Sequence, residues 1–270
     1  MPAFLDQILA AKRRRIADNK RDADMRDLER RAEQHLPRGF RQTLAKKGKH
    51  GIAIIAELKK ASPSKGLIRA DFHPAKLARD LEAAGASALS VLTDEEFFQG
   101  SLGNLQEASA VVKVPCLRKD FIIDAFQLLE ARANCADAVL LIVAALAQPD
   151  LEALAHSARA RGLDVLCEVH DEEELKRALD AGCDLIGFNT RNLKTFHVDL
   201  ETAFRLANKF PANVVRVAES GIQSPADITR LREAGYDAFL IGESLMRAQS
   251  PGDALRALVA RTESRVPSAP

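Results

Sequence analysis

The chain has 270 residues, 47% of them hydrophobic, and its 39 Lys and Arg against 38 Asp and Glu leave a net charge of +1. That is room for one α/β barrel or two small domains, with the composition of a soluble protein that buries a large core. The longest apolar runs, such as Ala138–Leu146, are far short of the roughly 20 residues of a membrane span, and Lys12–Arg15 occupies the place where a signal peptide would turn apolar.

Residues 1–50 carry 14 Lys and Arg against 7 Asp and Glu, a charge of +7, which leaves −6 on residues 51–270. A basic arm invites an anionic partner such as nucleic acid. Here the acids are interspersed and the aromatic residues of a single-strand binder are missing. A solvated helical element is the reading adopted, with helices predicted over Phe4–Ala17 and Ala23–His35 and an end near Pro37–Gly39.

From Ile52 onward, short apolar strands alternate with helices. Strands are predicted at Ile52–Leu58, Ala88–Leu92, Cys116–Asp120, Ala138–Ile142, Val165–Val169, Leu185–Phe188, Val214–Ala218 and Ala238–Ile241. A repeated phrase leads into several of them. Glu82–Leu89, Arg159–Leu166, Leu179–Ile186 and Arg232–Phe239 each join a helix end, a Gly, a short loop and an apolar strand; Arg132–Val139 offers Asn134 as the left-handed cap instead. Helix starts are marked by Asp171 with Glu174, a capping-box pattern, and by Ser224-Pro225 and Ser250-Pro251.

Eight such units in about 220 residues fit a single closed (β/α)8 TIM barrel over residues 51–265, with residues 1–50 as an N-terminal helical extension of the same domain. An open doubly wound sheet is the runner-up, but it would place a Gly-rich fingerprint after its first strand. Lys59–Gly66 is no such fingerprint. Val266–Pro270 reads as a frayed tail. Cys116, Cys135, Cys167 and Cys183 have neither C-x-x-C nor zinc-ligand spacing and read as reduced thiols of a cytoplasmic protein.

Barrel active sites lie where strands end. The first strand supplies Glu57 and Lys59, two apart and on one face. The third supplies Lys119, the fifth Glu168, the sixth Asn189 then Arg191, the seventh Glu219-Ser220-Gly221 and the eighth Gly242-Glu243-Ser244. Two lysines and three glutamates near one axis are costly unless they pair or bind something. The Gly-containing loops after the seventh and eighth strands suit a phosphate. Lys59, Lys119 and Arg191 suit a second anion, a carboxylate. Lys119, among other cations, is expected to have a lowered pKa and to act as general acid or Schiff-base nucleophile. Leu92, Phe97, Phe98, Phe121 and Leu140 are the apolar candidates near the rim. The six His are scattered; His170 is read as helping to start the following helix, and no metal site is expected.

Six stretches closely resemble motifs of the indole-3-glycerol phosphate synthase family. They are Ile55–Gly66, Leu117–Ile123, Leu166–His170, Ile186–Leu193, Val217–Ile222 and Leu240–Met246, in order along nearly the whole chain. The resemblance implies ring closure of 1-(2-carboxyphenylamino)-1-deoxyribulose 5-phosphate with loss of CO2 and water, in tryptophan biosynthesis, without cofactor or metal. It implies Lys119 as proton donor to the carbonyl oxygen and Lys59 as partner of the carboxylate, with Arg191 as a second. Glu168 and Lys59 would share the acid and base work of dehydration, in an order left open. Glu57 and Asn189 would hold the sugar, and Glu219 the same polar centre. Ser220, Gly221, Gly242, Glu243 and Ser244 would take the phosphate. Phe98, Phe121, Leu92 and Leu140 would flank the aromatic ring. Ser62 and Pro63–Gly66 form a candidate lid. A monomeric enzyme with a sugar-phosphate substrate, and with no nucleic-acid or membrane partner, is expected. The competing readings are a Schiff-base aldolase or isomerase on the same barrel, and a binding protein that uses the basic arm.

Overall fold

The computed structural model describes residues 4–192 and 197–263. Leu193, in the fourth motif above, and the tail Val266–Pro270 lie outside the described residues. The chain begins with α1 (Phe4–Asp22), α2 (Met25–Gln34) and α3 (Phe40–His50). Eight parallel strands then close a barrel: β1 (Ala53–Leu58), β2 (Ala88–Leu92), β3 (Cys116–Lys119), β4 (Ala138–Ile142), β5 (Asp164–Val169), β6 (Leu185–Asn189), β7 (Val215–Glu219) and β8 (Ala238–Ile241). Neighbours in sequence are neighbours in the barrel, and β8 pairs back onto β1 with Ala53 opposite Ala238. Every predicted strand lies within one residue of an observed one at each end. Among the described residues no helix is long and apolar enough to cross a membrane.

Alternation along each strand divides the apolar residues into two bodies. Ile54, Leu89, Val139, Cys167, Ile186 and Phe239 face outward, into the layer shared with the helices. Ala53, Ile55, Leu117, Leu140, Leu166, Val217 and Leu240 face inward and fill the lower barrel. A sealed interior needs a floor, and α3 provides it: Phe40 and Leu44 belong to the inner cluster and are fully buried. Sequence reading missed this helix. Its apolar signal is essentially one i, i+4 pair among lysines, too sparse to register as periodicity.

Two further local expectations are corrected. In Arg132–Val139 the left-handed residue is Cys135, with φ 64°, not Asn134. Cys135 occupies the place that Gly holds in the other repeats. At Asp171 the capping box is incomplete: Asp171 accepts from the Glu174 N–H, but Glu174 turns back to His170. Ser224 does form a full capping box, with Asp227.

The basic arm is not simply a solvated face. Lys12 is buried on the inner side of α1, and its Nζ lies 2.7 Å from both Asp94 Oδ2 and Asp120 Oδ1. Arg38 donates through Nε to Asp137 Oδ2 at 2.9 Å, and Asp137 also accepts from the Cys116 N–H at 2.6 Å. Arg15 reaches Glu95, and Lys20 reaches Asp124. Acids of the barrel thus answer much of the arm's positive charge. The exposed pairs contribute little, but the buried Lys12 cluster is different, because removing one member strands the others without solvent. Lys12→Ala should cost about 3 kcal/mol of unfolding free energy in a urea titration. A cost below about 1 kcal/mol, the value of an exposed pair, would contradict this role.

Candidate active site

The C-terminal mouth of the barrel holds a cavity of about 710 Å³. The seventeen residues to which the resemblance assigns a catalytic or substrate-binding place, Ser62 included, all line it; Phe97 and Gly66 do not. Its chemistry follows from strand alternation. On the odd-numbered strands the inward positions end at Glu57, Lys119, Glu168 and Glu219, and side chains from alternate strands of such a barrel share a layer. This layer is therefore three carboxylates around one ammonium. Lys119 Nζ donates to Glu168 Oε2 at 2.9 Å and to Glu219 Oε2 at 2.8 Å. Lys59 Nζ donates to Glu57 Oε1 at 2.6 Å. The three glutamates are buried.

Such close approach needs missing side chains on neighbouring strands. A Cβ on Gly187 would collide with Glu219 Oε1, and one on Gly242 would collide with Glu57 Oε1. At the end of β7 the chain turns through two successive left-handed residues, Ser220 (φ 65°) and Gly221 (φ 76°). For Ser220 that conformation is strained, a pattern concentrated at functional sites. Its loop lines the cavity beside Gly242, Glu243 and Ser244, where a short helix, Glu243–Arg247, begins. Arg191 reaches toward the same side, 3.9 Å from Glu243 Oε2, and its N–H donates to Asn189 Oδ1 at 3.0 Å.

The opposite wall is apolar. Phe98 and Phe121 pack with ring centroids 6.3 Å apart, and Leu92 and Leu140 line the cavity with them. Phe97, the fifth apolar candidate, does not line it; its ring packs edge-on against Phe4 at 5.8 Å. Ser62–Lys65 cross the mouth as the tip of a two-residue hairpin, Ala61–Ser62 with Gly66–Leu67. Sequence reading missed Phe4, Leu5 and Ile8 of α1, which close this wall. Their i, i+4 spacing was visible, but which surface that face would meet was not. It also missed Asp94 and Asp120 as the acids that anchor α1. His170 does more than start a helix: its Nδ1 pairs with Glu174 Oε2 at 3.0 Å, and its Nε2 faces Glu168 Oε1 at 3.5 Å. Among the described residues no group of three or more His, Cys, Asp or Glu side chains is arranged to hold a metal ion.

A glycine-containing polar rim, a charged centre and an apolar wall meet in one barrel mouth, and comparison with known proteins gives this site a family. Residues 5–258 match the family model described as indole-3-glycerol phosphate synthase. A relative of that name from Koribacter versatilis is 61% identical over 96% of this chain and 100% of its own length. Others from Burkholderia ambifaria and Desulfotalea psychrophila are each 49% identical, over 94% and 96% of this chain and 98% and 99% of their own lengths. The chain belongs to the indole-3-glycerol phosphate synthase family. It is thus a carboxy-lyase of tryptophan biosynthesis. Solved structures of low identity share the fold alone. A thiamine phosphate pyrophosphorylase from Pyrococcus furiosus (16% identical, TM-score 0.60) aligns over 79% of this chain and 96% of its own. A protein titled KGPDC from Streptococcus mutans (10% identical, TM-score 0.62) aligns over 80% and 99%.

The electrostatics of the enzyme's central layer correct one expectation. Burial alone would lower the Lys119 pKa, but Glu168, Glu219 and Glu57 outweigh it and raise it above the ordinary lysine value. The cations invoked from sequence are not its nearest neighbours. A lysine held protonated can donate a proton but cannot attack a carbonyl, so the amine-nucleophile option loses its basis. The two carboxylates on Lys119 diverge. Burial pushes Glu168 up, but Lys119 and then His170 prevail and hold it at about 2. Burial pushes Glu219 up to about 7, with Lys119 opposing and Glu168 adding to the rise. Divergent neighbours of this kind mark acid and base assignments.

The signs of these shifts give a pH test. Glu219 is raised in the fold, so its contribution to stability is full below its ordinary value of 4.5 and is lost as pH rises toward about 7. Glu168 is lowered, so its contribution is present above 4.5 and lost as pH falls toward about 2. Urea unfolding between those upper limits should show Glu219→Gln removing a downward slope of at most about 1.4 kcal/mol per pH unit from the wild-type profile. Parallel profiles for the two proteins would contradict a raised Glu219.

Proposed function

We propose that the enzyme closes the indole ring with Lys119 as general acid, Glu168 as base and Lys59 as the second acid. The observation that carries this reading is the Lys119 ammonium held between Glu168 and Glu219 on the barrel axis. As the aromatic ring carbon attacks the ribulose carbonyl, the oxygen gains charge, and an ammonium already in place donates the proton. The carboxylate then leaves as CO2, and its bonding electrons restore the ring. An apolar wall of Phe98, Phe121, Leu92 and Leu140 favours loss of that charge. Dehydration follows: the hydroxyl leaves with a proton from an acid, and a base removes the proton whose loss completes the indole.

Sequence alone left open which of Glu168 and Lys59 does which. Glu168 is held ionised and suits the base. Lys59, an ammonium on Glu57, suits the acid and, earlier, the partner of the substrate carboxylate. Glu57 and Asn189 orient the sugar hydroxyls. Glu219 Oε1 is buried and makes no hydrogen bond among the described residues, which supports a substrate hydroxyl as its partner. Ser220, Gly221, Gly242, Glu243 and Ser244 form the phosphate end. Proximity to Glu243 favours Arg191 for that end over the carboxylate. Ser62 lies on the loop that would exclude water on closing. One chain supplies every group in the scheme, which supports a monomer as the working unit.

The test is single-variant kinetics with indole fluorescence as readout, which the absence of Trp from the chain makes nearly background-free. Lys119→Ala should lower kcat by about 10²–10⁴, the range for loss of a general acid. Activity within a few-fold of wild type, from folded protein, would remove Lys119 from that role. Glu168→Gln should leave KM within a few-fold and lower kcat by about 10²-fold or more, because an amide cannot accept the proton.

A further inference from the structure

Glu168 has two oxygens. Lys119 holds Oε2, the Asn189 side chain also faces the carboxylate, and the reading of Glu168 as base leaves open what fixes it from behind. Behind it, at the turn from β5 into α8 (Glu172–Asp180), lies His170. We propose that His170, anchored by Glu174, is a positioning residue that presents an N–H to Glu168 Oε1 and so fixes the carboxylate for proton acceptance. The proposal rests on Glu168 being the base.

The geometry is specific. Glu174 Oε2 accepts from the His170 backbone N–H at 2.8 Å and pairs with ring Nδ1 at 3.0 Å. One carboxylate thus fixes both the backbone and the ring. Nε2 then faces Glu168 Oε1 at 3.5 Å and is a buried atom with no hydrogen bond among the described residues. His170 does not line the cavity, so it acts through Glu168 and not on substrate. A conventional capping box would have sent Glu174 to the N–H of Asp171; its turn toward His170 is the local departure that makes the arrangement.

Acids from three elements act on the ring. Glu174 comes from α8, Glu168 from β5 and, further off, Glu219 from β7, while the Lys119 ammonium lies beyond Glu168. Burial would lower the His170 pKa, but these carboxylates, Glu174 first, raise it above the ordinary value. Its imidazolium in turn helps hold Glu168 down, and it acts more strongly on Glu168 than on the more distant Glu219. This breaks the symmetry of two carboxylates on one lysine: Glu168 stays an anion ready to accept, and Glu219 is the one that can keep a proton.

The experiment compares His170→Asn, His170→Gln and Glu168→Gln, with thermal unfolding as the check on folding. Asn can still bond Glu174 but does not reach Glu168. It should lower kcat by about 10–100-fold, the cost of a misaligned reacting group, with KM nearly unchanged. It should also move the acid limb of the kcat profile to higher pH, because Glu168 loses a positive neighbour. Gln reaches Glu168 with a neutral N–H. It should recover much of kcat above the limb while the limb stays displaced. A His170→Asn enzyme with wild-type kcat and limb overturns the proposal. So does one that is merely less stable, with an unmoved limb. If Glu168→Gln itself stays active, the base reading fails first; if it is inactive while His170→Asn is unaffected, the base reading stands and the positioning role falls.

Discussion

Three carboxylates and one ammonium share a single layer at the top of the barrel, and the rest of the site is arranged around that constraint. Four buried charges at this spacing are unfavourable unless each has a partner. Lys119 serves Glu168 and Glu219, and Lys59 serves Glu57. The residual imbalance is negative, and it appears where chemistry can use it, as a carboxyl at Glu219 able to hold a proton near neutrality. Small residues on neighbouring strands are part of the same constraint. Gly187 and Gly242 exist where a methyl group would collide with Glu219 and Glu57.

The N-terminal extension completes the barrel at both ends. At the bottom, Phe40 and Leu44 of α3 fill the opening that eight strands leave. At the top, Phe4, Leu5 and Ile8 of α1 extend the apolar wall, and Lys12 ties that helix to Asp94 and Asp120. Asp120 directly follows Lys119 and also receives Arg118 and the Thr93 hydroxyl. The helix that covers the site and the strand that carries Lys119 therefore share one ionic cluster. A +7 arm on a −6 body is, in large part, a protein binding itself.

The site is polar on one side and apolar on the other, which matches a substrate with a phosphorylated sugar at one end and an aromatic ring at the other. The loops after β7 and β8 supply the polar side, and β2, β3 and β4 supply the apolar side. The charged layer around Lys119 lies between them. This division follows from chain order: sequential strands lie side by side, so neighbouring motifs become neighbouring walls.

The sequence by itself determined the eight strands, because short, nearly continuous apolar runs and a recurring helix-end phrase write each one locally. It also determined the list of rim residues, because the last inward position of a parallel strand is fixed by the strand's own phase. It did not determine the third helix, since Phe40 and Leu44 make too short a pattern to stand out from lysines. It got the sign of the Lys119 shift wrong for a physical reason: a pKa depends on which charges lie within a few ångströms, and strands 49 and 100 residues apart in sequence set those distances. Lys12 looked like any surface lysine until Asp94 and Asp120 were brought to it. Local periodicity decides what each element is and which way it faces; only closure of the barrel decides which charges meet.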